Sequence, residues 1–353
     1  MHAELNIIPV FKPRPLDWVR TTELAGDFGN PNQLSNFGPL VVLLERKLAD
    51  LLNVNPDQVV VFSNCTDAIA ASLATLEGAF EAVIPGFSFV ATLRAAQVSM
   101  PGSFRIEDVD PLTWALTPNQ KGSEREVYVP VAPFGVDPSA TLRSFQGQKV
   151  IVDAAASLAT FPNLSNLAHN QSVCFSLHAT KVLGAGEGGF GVYGDTRWAA
   201  RARSWSNFGR EENNFQKHGT NSKMSEVQAA FCLARLESKD EEIAEWKAAQ
   251  RVASTVTHKH SLKVQPHAFG TVHPYWTVEL ESEDQRFRLE TELRGLGIGY
   301  RRWWPVDLSA LSGKPTLEVS SELARRTLGL PLFCGLTDSD GQRISEALTA
   351  SGI

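Results

Sequence analysis

The chain has 353 residues, of which 43% are hydrophobic and 20% charged, and a formal net charge of −6. These values are typical of a globular protein with room for two domains, and they disfavour nucleic acid as a partner, because phosphate binding requires a basic face. We find no secretion signal and no apolar run of transmembrane length. The scattered cysteines lack metal-ligand spacing, so we expect a reduced, cytoplasmic protein without metal or disulfide; they are Cys65, Cys174, Cys232 and Cys334.

Short apolar runs alternate with helical patterns in the first half of the chain. Continuously apolar strands separated by helices indicate an α/β fold with a mostly parallel sheet between two layers of helices. Ligands gather at the carboxyl ends of the strands in such sheets, where Asn64, Pro85, Asp153 and Ser176 would lie. The predicted strands are 59–62, 82–84, 127–131, 150–152, 173–175 and 190–193, and the clearest helices are 40–52 and 67–76.

The second half predicts a smaller α+β domain. A long helix from Ser225 to about Lys247 would connect the two parts, which we assign to residues 1–240 and 241–353. Segment 207–219, rich in asparagine, glycine and charge, is predicted to be a mobile loop. The elements predicted after the long helix are strands 276–280 and 297–300, a helix at 284–296 between them, and a last helix at 338–348.

Lys181 lies among small, hydroxylated and glycine residues between Ser176 and Gly189. A solvated surface charge is the usual role of a lysine. The alternative is an amine in a tight pocket, where desolvation favours the neutral form that attacks carbonyl groups. Pyridoxal phosphate is the obvious carbonyl partner, and it also needs a partner for its pyridine nitrogen and a site for its phosphate.

Residues 184–189 match the G-x-G-x-x-G pattern of dinucleotide-binding folds. That pattern has this function only directly after a strand and at the start of a helix. Here it lies between Lys181 and the strand predicted at 190–193, so we interpret it as a glycine turn that allows close backbone approach.

Three other positions could complete a pyridoxal-phosphate site. Asp153, at the end of a buried strand, could pair with the pyridine nitrogen or could simply cap a helix. Thr66 and the backbone of Cys65 open a helix after a strand, which is a natural phosphate site but also an ordinary helix start. Phe89 could stack on a flat ring or pack in the core.

In their order and spacing, these segments resemble the DegT/DnrJ/StrS family of sugar aminotransferases, a branch of fold-type I pyridoxal-phosphate enzymes. The resemblance covers nearly the whole chain. It is carried by Gly38-Pro39, Glu45 and residues 64–68, 85–92, 108–110, 153–155, 176–189 and 219–224.

The resemblance implies a role for each matched residue. Lys181 would form the Schiff base with the cofactor and carry the proton between cofactor and substrate, and Asp153 would hold the pyridine nitrogen. Phe89 would stack on the ring. Thr66, Ser176 and the Cys65 backbone would bind the phosphate, and Asn221 would reach the phosphate of the partner subunit, which implies a homodimer with shared active sites.

Three positions depart from the family pattern. Cys65 replaces a usual glycine or alanine, Ala156 stands where glutamine or histidine is common, and Lys223 occupies a usual arginine. A subgroup that dehydrates 4-keto sugars carries histidine in place of the catalytic lysine, so Lys181 argues against dehydration.

The resemblance implies transfer of an amino group from glutamate to a nucleotide-linked keto sugar. Arg301, Trp303 and Trp304 could supply diphosphate charge and stacking area, or could be a solvated face and a core residue. With residues 328–332 they resemble the viosamine-type enzymes, which aminate dTDP-4-keto-6-deoxyglucose at C4 and serve deoxyaminosugar, O-antigen or lipopolysaccharide synthesis. The alternatives are another keto sugar, amination at C3, and a regulatory protein that binds the cofactor without catalysis.

Overall fold

The computed structural model describes residues 7–78, 80–119, 123–216, 218–266 and 269–353. Its centre is a seven-stranded sheet in the order β1-β7-β6-β5-β4-β2-β3, in which β7 alone runs against its neighbours. The strands are β1 (Val59–Phe62), β2 (Glu81–Pro85), β3 (Phe104–Glu107), β4 (Glu126–Tyr128), β5 (Val150–Asp153), β6 (Gln171–Ser176) and β7 (Gly189–Tyr193).

Helices cover both faces of this sheet. On β1, Val59 and Val61 belong to the core cluster that includes Leu44 of the second helix, whereas Val60 and Phe62 face the opposite cluster. Successive side chains of a strand point to opposite faces, so a strand apolar at every position needs cover on both sides. The helices of this part are α1 (Trp18–Phe28), α2 (Pro39–Leu52), α3 (Cys65–Ala74), α4 (Val90–Ser99), α5 (Pro138–Ser144), α6 (Thr196–Trp205) and α7 (Glu226–Glu237).

The C-terminal part contains a three-stranded sheet in the order β10-β9-β8. Residues 307–311 return to the large sheet, where Leu308 N donates to the carbonyl of Gly86 at 2.9 Å. The elements are α8 (Lys239–Lys259), β8 (Lys263–Val264), β9 (Trp276–Glu279), α9 (Glu283–Gly295), α10 (Leu308–Leu311), α11 (Glu318–Arg326), β10 (Thr327–Leu330) and α12 (Asp338–Ala350).

The predicted α/β class with a mostly parallel, helix-covered sheet is confirmed, but several elements differ from the prediction. The strand predicted at 127–131 ends at Tyr128, because Pro130 has no amide hydrogen to continue the ladder. The edge strand β3 was missed because Arg105 and Glu107 interrupt its apolar pattern. Residues 297–300 form no strand: Ile298 makes only an isolated bridge to Ile8, and β10 pairs with β9 instead.

The long helix predicted from Ser225 to about Lys247 is two helices, α7 and α8, which meet at Ser238. The Ser238 hydroxyl donates to the carbonyl of Arg235 at 3.2 Å and accepts from Arg14 at 3.1 Å. Serine competes in this way for backbone groups that would otherwise continue a helix. The predicted domain division at residues 240 and 241 falls in the first turn of α8 and stays a prediction.

Segment 207–219 contains no helix or strand in its described residues and is held by isolated bridges, such as that between Arg210 and Phe215. Its residue 217 lies outside the described ranges, and its mobility stays a prediction. Within the described ranges, every helix is too short or too polar to span a bilayer.

Candidate active site

A cavity of about 270 Å³ opens at the carboxyl ends of β1, β5 and β6, the edge at which the sequence predicts a ligand site. It brings together residues that are far apart in the sequence, from the large sheet and from the C-terminal part. The predicted site residues that line it are Cys65, Thr66, Phe89, Asp153, Ser176, Lys181, Arg301, Trp303 and Trp304.

Lys181 lies on the loop between β6 and β7 and is half-buried in the cavity. Its ammonium group donates a hydrogen bond to the hydroxyl of Tyr275, which precedes β9, and lies 5.0 Å from the centre of the Tyr275 ring. The amine is therefore directed into the cavity and does not belong to the solvated surface.

Asp153, at the end of β5, is 5% exposed and has two fixed hydrogen bonds. Its carboxylate accepts from the Thr92 hydroxyl at 2.7 Å and from the Ala155 amide at 3.1 Å. Burial raises the pKa of the Asp153 carboxyl above its usual range, while these hydrogen bonds and the charge of Lys181 act in the opposite direction. A positively charged group next to the Asp153 carboxyl would favour its ionised form.

The first turn of α3 presents free backbone donors to the cavity. The Asn64 side chain accepts from the Asp67 amide at 2.9 Å, whereas the amides of Cys65 and Thr66 have no acceptor in the described part of the chain. The Cys65 side chain packs in the core behind the helix, where burial raises the pKa of its thiol. The replacement of glycine or alanine by cysteine therefore leaves backbone donation intact.

Ser176, at the end of β6, completes this side of the cavity. Its hydroxyl oxygen accepts from the His178 amide at 3.2 Å, and its own hydrogen has no acceptor among the described residues. Two amides at a helix N-terminus and a serine hydroxyl form a suitable set of donors for a phosphate group.

Aromatic side chains form the opposite wall. Phe89 is 54% exposed and borders the cavity, whereas Trp304 is buried and stacks on Phe134 with centroids 4.1 Å apart. Trp304 is therefore mainly a core residue. Trp303 is half-buried, contacts Tyr275 edge to face at 4.9 Å and leaves its indole NH without a hydrogen-bond partner in the described structure.

The two adjacent arginines diverge. Arg301 is exposed at the cavity, with its guanidinium 5.2 Å from the Trp303 ring centre, whereas Arg302 donates to the carbonyls of Pro305 and Ala324. Gly329 makes room for this arrangement, because a Cβ atom there would lie 2.0 Å from Trp303 Nε1.

Asn221 is the one predicted site residue that lies apart from the cavity. It is exposed, forms a bridge with Asn207, and accepts from Lys223 Nζ at 2.6 Å. Desolvation lowers the pKa of Lys223, whose ammonium group lies 4.8 Å above the Phe208 ring. Lys223 thus makes a single hydrogen bond and a ring contact, without the paired contacts of an arginine.

Tyr275 and Phe134 are two aromatic residues of the cavity wall that the sequence does not point to. Tyr275 precedes an ordinary apolar strand, and nothing nearby in the sequence signals contact with a lysine 94 residues away. Phe134 has a φ of +53°, which is rare outside glycine and is not visible in a sequence. Ala156, which stands where the family commonly has glutamine or histidine, lies in the same apolar cluster as Tyr275 and Phe134.

His273 supports Tyr275 and gives the site a testable pH dependence. Its ring Nδ1 accepts from the Tyr275 amide at 3.3 Å, and burial lowers its pKa from 6.5 to about 4. Because the folded-state pKa is depressed, the stability that neutral His273 contributes is present above the unfolded pKa and is lost as pH falls towards the folded value.

As pH falls from about 6.5 to about 4, we expect the natural protein to lose about 3 kcal/mol more of its unfolding free energy than the His273→Gln variant loses. Urea unfolding at a series of pH values measures this difference. His169→Gln, at an exposed histidine, is the matched control. Parallel pH curves for His273→Gln and the natural protein would contradict the assignment.

The cavity fits pyridoxal phosphate by the chemistry of its donors. It holds one amine for the carbonyl, one buried carboxylate for the pyridine nitrogen, and a helix N-terminus with a serine hydroxyl for the phosphate. The described residues contain no group of three histidine, cysteine, aspartate or glutamate side chains able to hold a metal ion.

Comparison with known proteins decides the family. The model of the DegT/DnrJ/EryC1/StrS aminotransferase family matches residues 20–349. The chain belongs to this family. It is therefore a pyridoxal-phosphate-dependent aminotransferase, which favours the transaminase over the regulatory alternative considered from the sequence.

Individual members of the DegT/DnrJ/EryC1/StrS family are similar at moderate identity. The chain is 28% identical over 339 residues to UDP-2-acetamido-2-deoxy-3-oxo-D-glucuronate aminotransferase of Pseudomonas aeruginosa, covering 88% of this chain and 90% of that protein. It is 31% identical over 222 residues to dTDP-4-amino-4,6-dideoxy-D-glucose transaminase of Shigella dysenteriae, covering 59% of each.

Solved structures agree with the fold. The crystal structure of DesI in the presence of its TDP-sugar product is 26% identical, with a TM-score of 0.80 over 98% of this chain and 93% of that chain. A PLP-dependent aminotransferase from Bacillus cereus gives a TM-score of 0.84 at 20% identity, over 98% of this chain and 100% of that chain. The fold-type I aminotransferase architecture is thereby confirmed.

Proposed function

We propose that this aminotransferase transfers an amino group from glutamate to the keto carbon of a nucleotide-linked sugar, with C4 of dTDP-4-keto-6-deoxyglucose as the leading candidate. The observation that supports the proposal most directly is a cavity with Lys181 inside it and Arg301 beside Trp303 at its edge. A guanidinium next to an indole suits a ligand that carries both a diphosphate and flat or apolar groups. The proposed setting is the cytoplasm, in deoxyaminosugar synthesis for O-antigen or lipopolysaccharide.

In this proposal the chemistry is divided between Lys181, Tyr275, Asp153 and the groups that would bind the phosphate. Pyridoxal phosphate, when bound, supplies an electron sink that makes the Cα proton of an amino donor removable. The Lys181 amine would hold the cofactor at its carbonyl group, and as a free amine it would take the Cα proton from the amino donor and return a proton to the substrate in the second half-reaction. The Tyr275 hydroxyl accepts a hydrogen bond from the free amine and so holds it in the cavity.

Asp153 would keep a proton on the pyridine nitrogen, because a buried carboxylate is best compensated by an adjacent positive charge. The amides of Cys65 and Thr66, with the Ser176 hydroxyl, would bind the phosphate and fix the position of the ring. Phe89 would cover one face of the ring and keep water away from it.

Amination at C3 is the second candidate. The Pseudomonas aeruginosa relative, which spans most of the chain, is named for a 3-oxo sugar linked to UDP. The Shigella dysenteriae relative and DesI are instead named with dTDP or TDP sugars, and the former is a 4-amino sugar transaminase. Both names support a dTDP-linked sugar, and the Shigella dysenteriae name supports amination at C4.

A panel of keto sugars tests the substrate directly. The protein is first converted to its amine-carrying form with glutamate, freed of glutamate, and mixed with UDP-3-keto, dTDP-3-keto and dTDP-4-keto sugars in turn. We expect the dTDP-4-keto-6-deoxyglucose reaction to have the highest rate constant. A faster reaction with a 3-keto sugar would replace C4 by C3, and no reaction with any member would refute the nucleotide-sugar proposal.

Arg301→Ala tests the proposed recognition of the diphosphate. We expect the KM for the nucleotide sugar to rise about 10-fold to 100-fold, because a charge-assisted contact contributes roughly 1.5–3 kcal/mol. The half-reaction with glutamate should keep its rate. Arg325→Ala, at an arginine that pairs with Glu322 outside the cavity, is the control. An unchanged sugar KM would remove Arg301 from the substrate site.

We also propose that the active protein is a homodimer in which Asn221 serves the site of the partner subunit. Asn221 is exposed and lies away from its own cavity, so a cavity to which it contributes would belong to another molecule. Two large apolar side chains are also exposed. Trp18 of α1 is 67% exposed, and Phe208, in the segment 207–219 that precedes Asn221, is 56% exposed.

Mixing two inactive variants tests the sharing of sites. Lys181→Ala and Asn221→Ala should each be inactive at low cofactor concentration, whereas a mixture should recover about a quarter of the natural turnover, because heterodimers contain one intact site. A monomeric protein in solution, or a mixture without recovery, would contradict shared sites.

A further inference from the structure

Two buried charged side chains outside the cavity contact the backbone of the loop that carries Lys181. We call residues 177–188, between β6 and β7, the lysine loop. Arg235 of α7 is 5% exposed and Glu242 of α8 is 1% exposed, and neither lines the cavity. Charged side chains are rarely buried so completely unless they are paired, so the groups that they contact require an explanation.

Glu242 holds the loop immediately after Lys181. Its Oε1 atom accepts from the Leu183 amide at 2.8 Å and from the indole NH of Trp246 at 3.3 Å. Leu183 has a φ of +64°, an unfavourable left-handed conformation for leucine that persists only when the surroundings enforce it. The Glu242 carboxylate is the side chain that receives the amide of this strained residue.

Arg235 holds the next residue and links it to the N-terminal segment. Its Nε atom donates to the Gly184 carbonyl at 3.1 Å, and Nη2 donates to the carbonyls of Arg14 and Pro15, each at 2.9 Å. Its Nη1 atom lies 3.4 Å from Glu242 Oε2, so the two side chains also form an ion pair.

The break between α7 and α8 makes this arrangement possible. Arg235 and Glu242 are seven positions apart in the sequence. Ser238 lies between them, at the end of α7 and the start of α8. The lysine loop is also tightly folded on itself, because a Cβ atom at Gly184 would lie 2.0 Å from the carbonyl oxygen of His178. The backbone on the C-terminal side of Lys181 is thus fixed by one carboxylate and one guanidinium.

We propose that Arg235 and Glu242 are positioning residues, which fix the lysine loop so that the Lys181 amine points into the cavity. The inference rests on the proposed role of Lys181 as the lysine that attacks the cofactor carbonyl. Placement of a reacting group within a fraction of an ångström has a large effect on rate, and groups behind the site commonly provide it. A purely structural pair would instead change the stability of the fold and leave the reactivity of Lys181 in folded molecules unchanged.

The test compares Glu242→Ala with Glu242→Gln and with Glu241→Ala. Glu241 is on the same helix and pairs with Arg14 at 3.0 Å without contacting the lysine loop, so it is the matched control. Two quantities are measured on folded protein. One is amide hydrogen exchange of the peptide covering residues 177–188 in the cofactor-free state, and the other is the rate of pyridoxal-phosphate attachment to Lys181, trapped with borohydride and located by mass spectrometry.

We expect Glu242→Ala to exchange faster in the lysine loop and to attach the cofactor about 10-fold to 100-fold more slowly. Glu242→Gln should recover most of the rate, because its amide oxygen can still accept from the Leu183 amide, and Glu241→Ala should match the natural protein. Natural exchange and natural attachment in folded Glu242→Ala would overturn the proposal.

If Glu242→Ala does not fold, the same two measurements are made on Arg235→Lys. A lysine keeps a positive charge near Glu242 but cannot bind the carbonyls of Gly184, Arg14 and Pro15 together, so faster loop exchange and slower attachment are expected. Natural values for both in this variant would also overturn the proposal. Failure of the assumed role of Lys181 is distinguishable, because cofactor attachment would then persist in Lys181→Ala whatever the exchange of the loop.

Discussion

Replacing Lys181 with alanine is expected to lower turnover by about 10⁴-fold, the largest effect of any single substitution in the cavity. The amine has two tasks in the proposed mechanism, to attack the cofactor carbonyl and to move the substrate proton, and alanine performs neither. The measurement is steady-state turnover with glutamate and the best keto sugar, together with mass spectrometry after borohydride treatment, which should show no trapped cofactor.

The control for this substitution is Lys247→Ala, which removes an exposed lysine of α8 and should leave both quantities unchanged. A small added amine should restore part of the Lys181→Ala turnover, because it can accept the substrate proton in place of the side chain. Turnover by Lys181→Ala without any added amine would refute the assignment of this lysine.

Asp153→Asn is expected to reduce turnover by about 10²-fold to 10³-fold and to weaken cofactor binding. The amide preserves the shape of the carboxylate and can satisfy the Ala155 amide with its oxygen and the Thr92 hydroxyl with its NH₂ group. What it cannot provide is the negative charge that keeps a proton on the pyridine nitrogen. Turnover and equilibrium binding of pyridoxal phosphate measure the two effects.

Although Asp153→Asn should lower turnover, it should raise the stability of the cofactor-free protein. Burial raises the folded-state pKa of Asp153, so its ionised form destabilises the cofactor-free fold above that pKa, and the penalty disappears as pH falls below the unfolded value. Cofactor-free Asp153→Asn should therefore resist urea better than the natural protein at about pH 8, and the advantage should shrink as pH falls towards the ordinary carboxyl pKa of 3.8.

Asp50→Asn, at an exposed carboxylate of α2, should show no such pH-dependent gain. Natural turnover in Asp153→Asn would refute the charge-based role of Asp153. A constant stability difference at all pH values would instead indicate that the carboxylate is not the destabilising group.

Most strands of the large sheet, and the edge at which the cavity opens, could be predicted from local sequence. Continuous apolar runs identify buried parallel strands, and the carboxyl ends of such strands meet at one edge, so the sequence predicts that Asp153 and Ser176 lie near Asn64. The prediction failed where local pattern and tertiary context disagree. Ser238 ends a helix because of hydrogen bonds with Arg14 and Arg235, and neither contact is visible as a periodicity.

The sequence by itself determined the family, the sheet edge at which the cavity opens and the lysine that lines it, because these depend on short motifs and on the period of apolar residues. Only the tertiary structure decided that Lys181 donates a hydrogen bond to Tyr275 and that Arg301 lines the cavity whereas Arg302 does not. It also decided that Arg235 and Glu242 bind the backbone of the lysine loop. The contacts of Lys181, Leu183 and Gly184 with Tyr275, Glu242 and Arg235 join residues 51 to 94 positions apart. Packing between elements, which no local pattern encodes, brings such residues together.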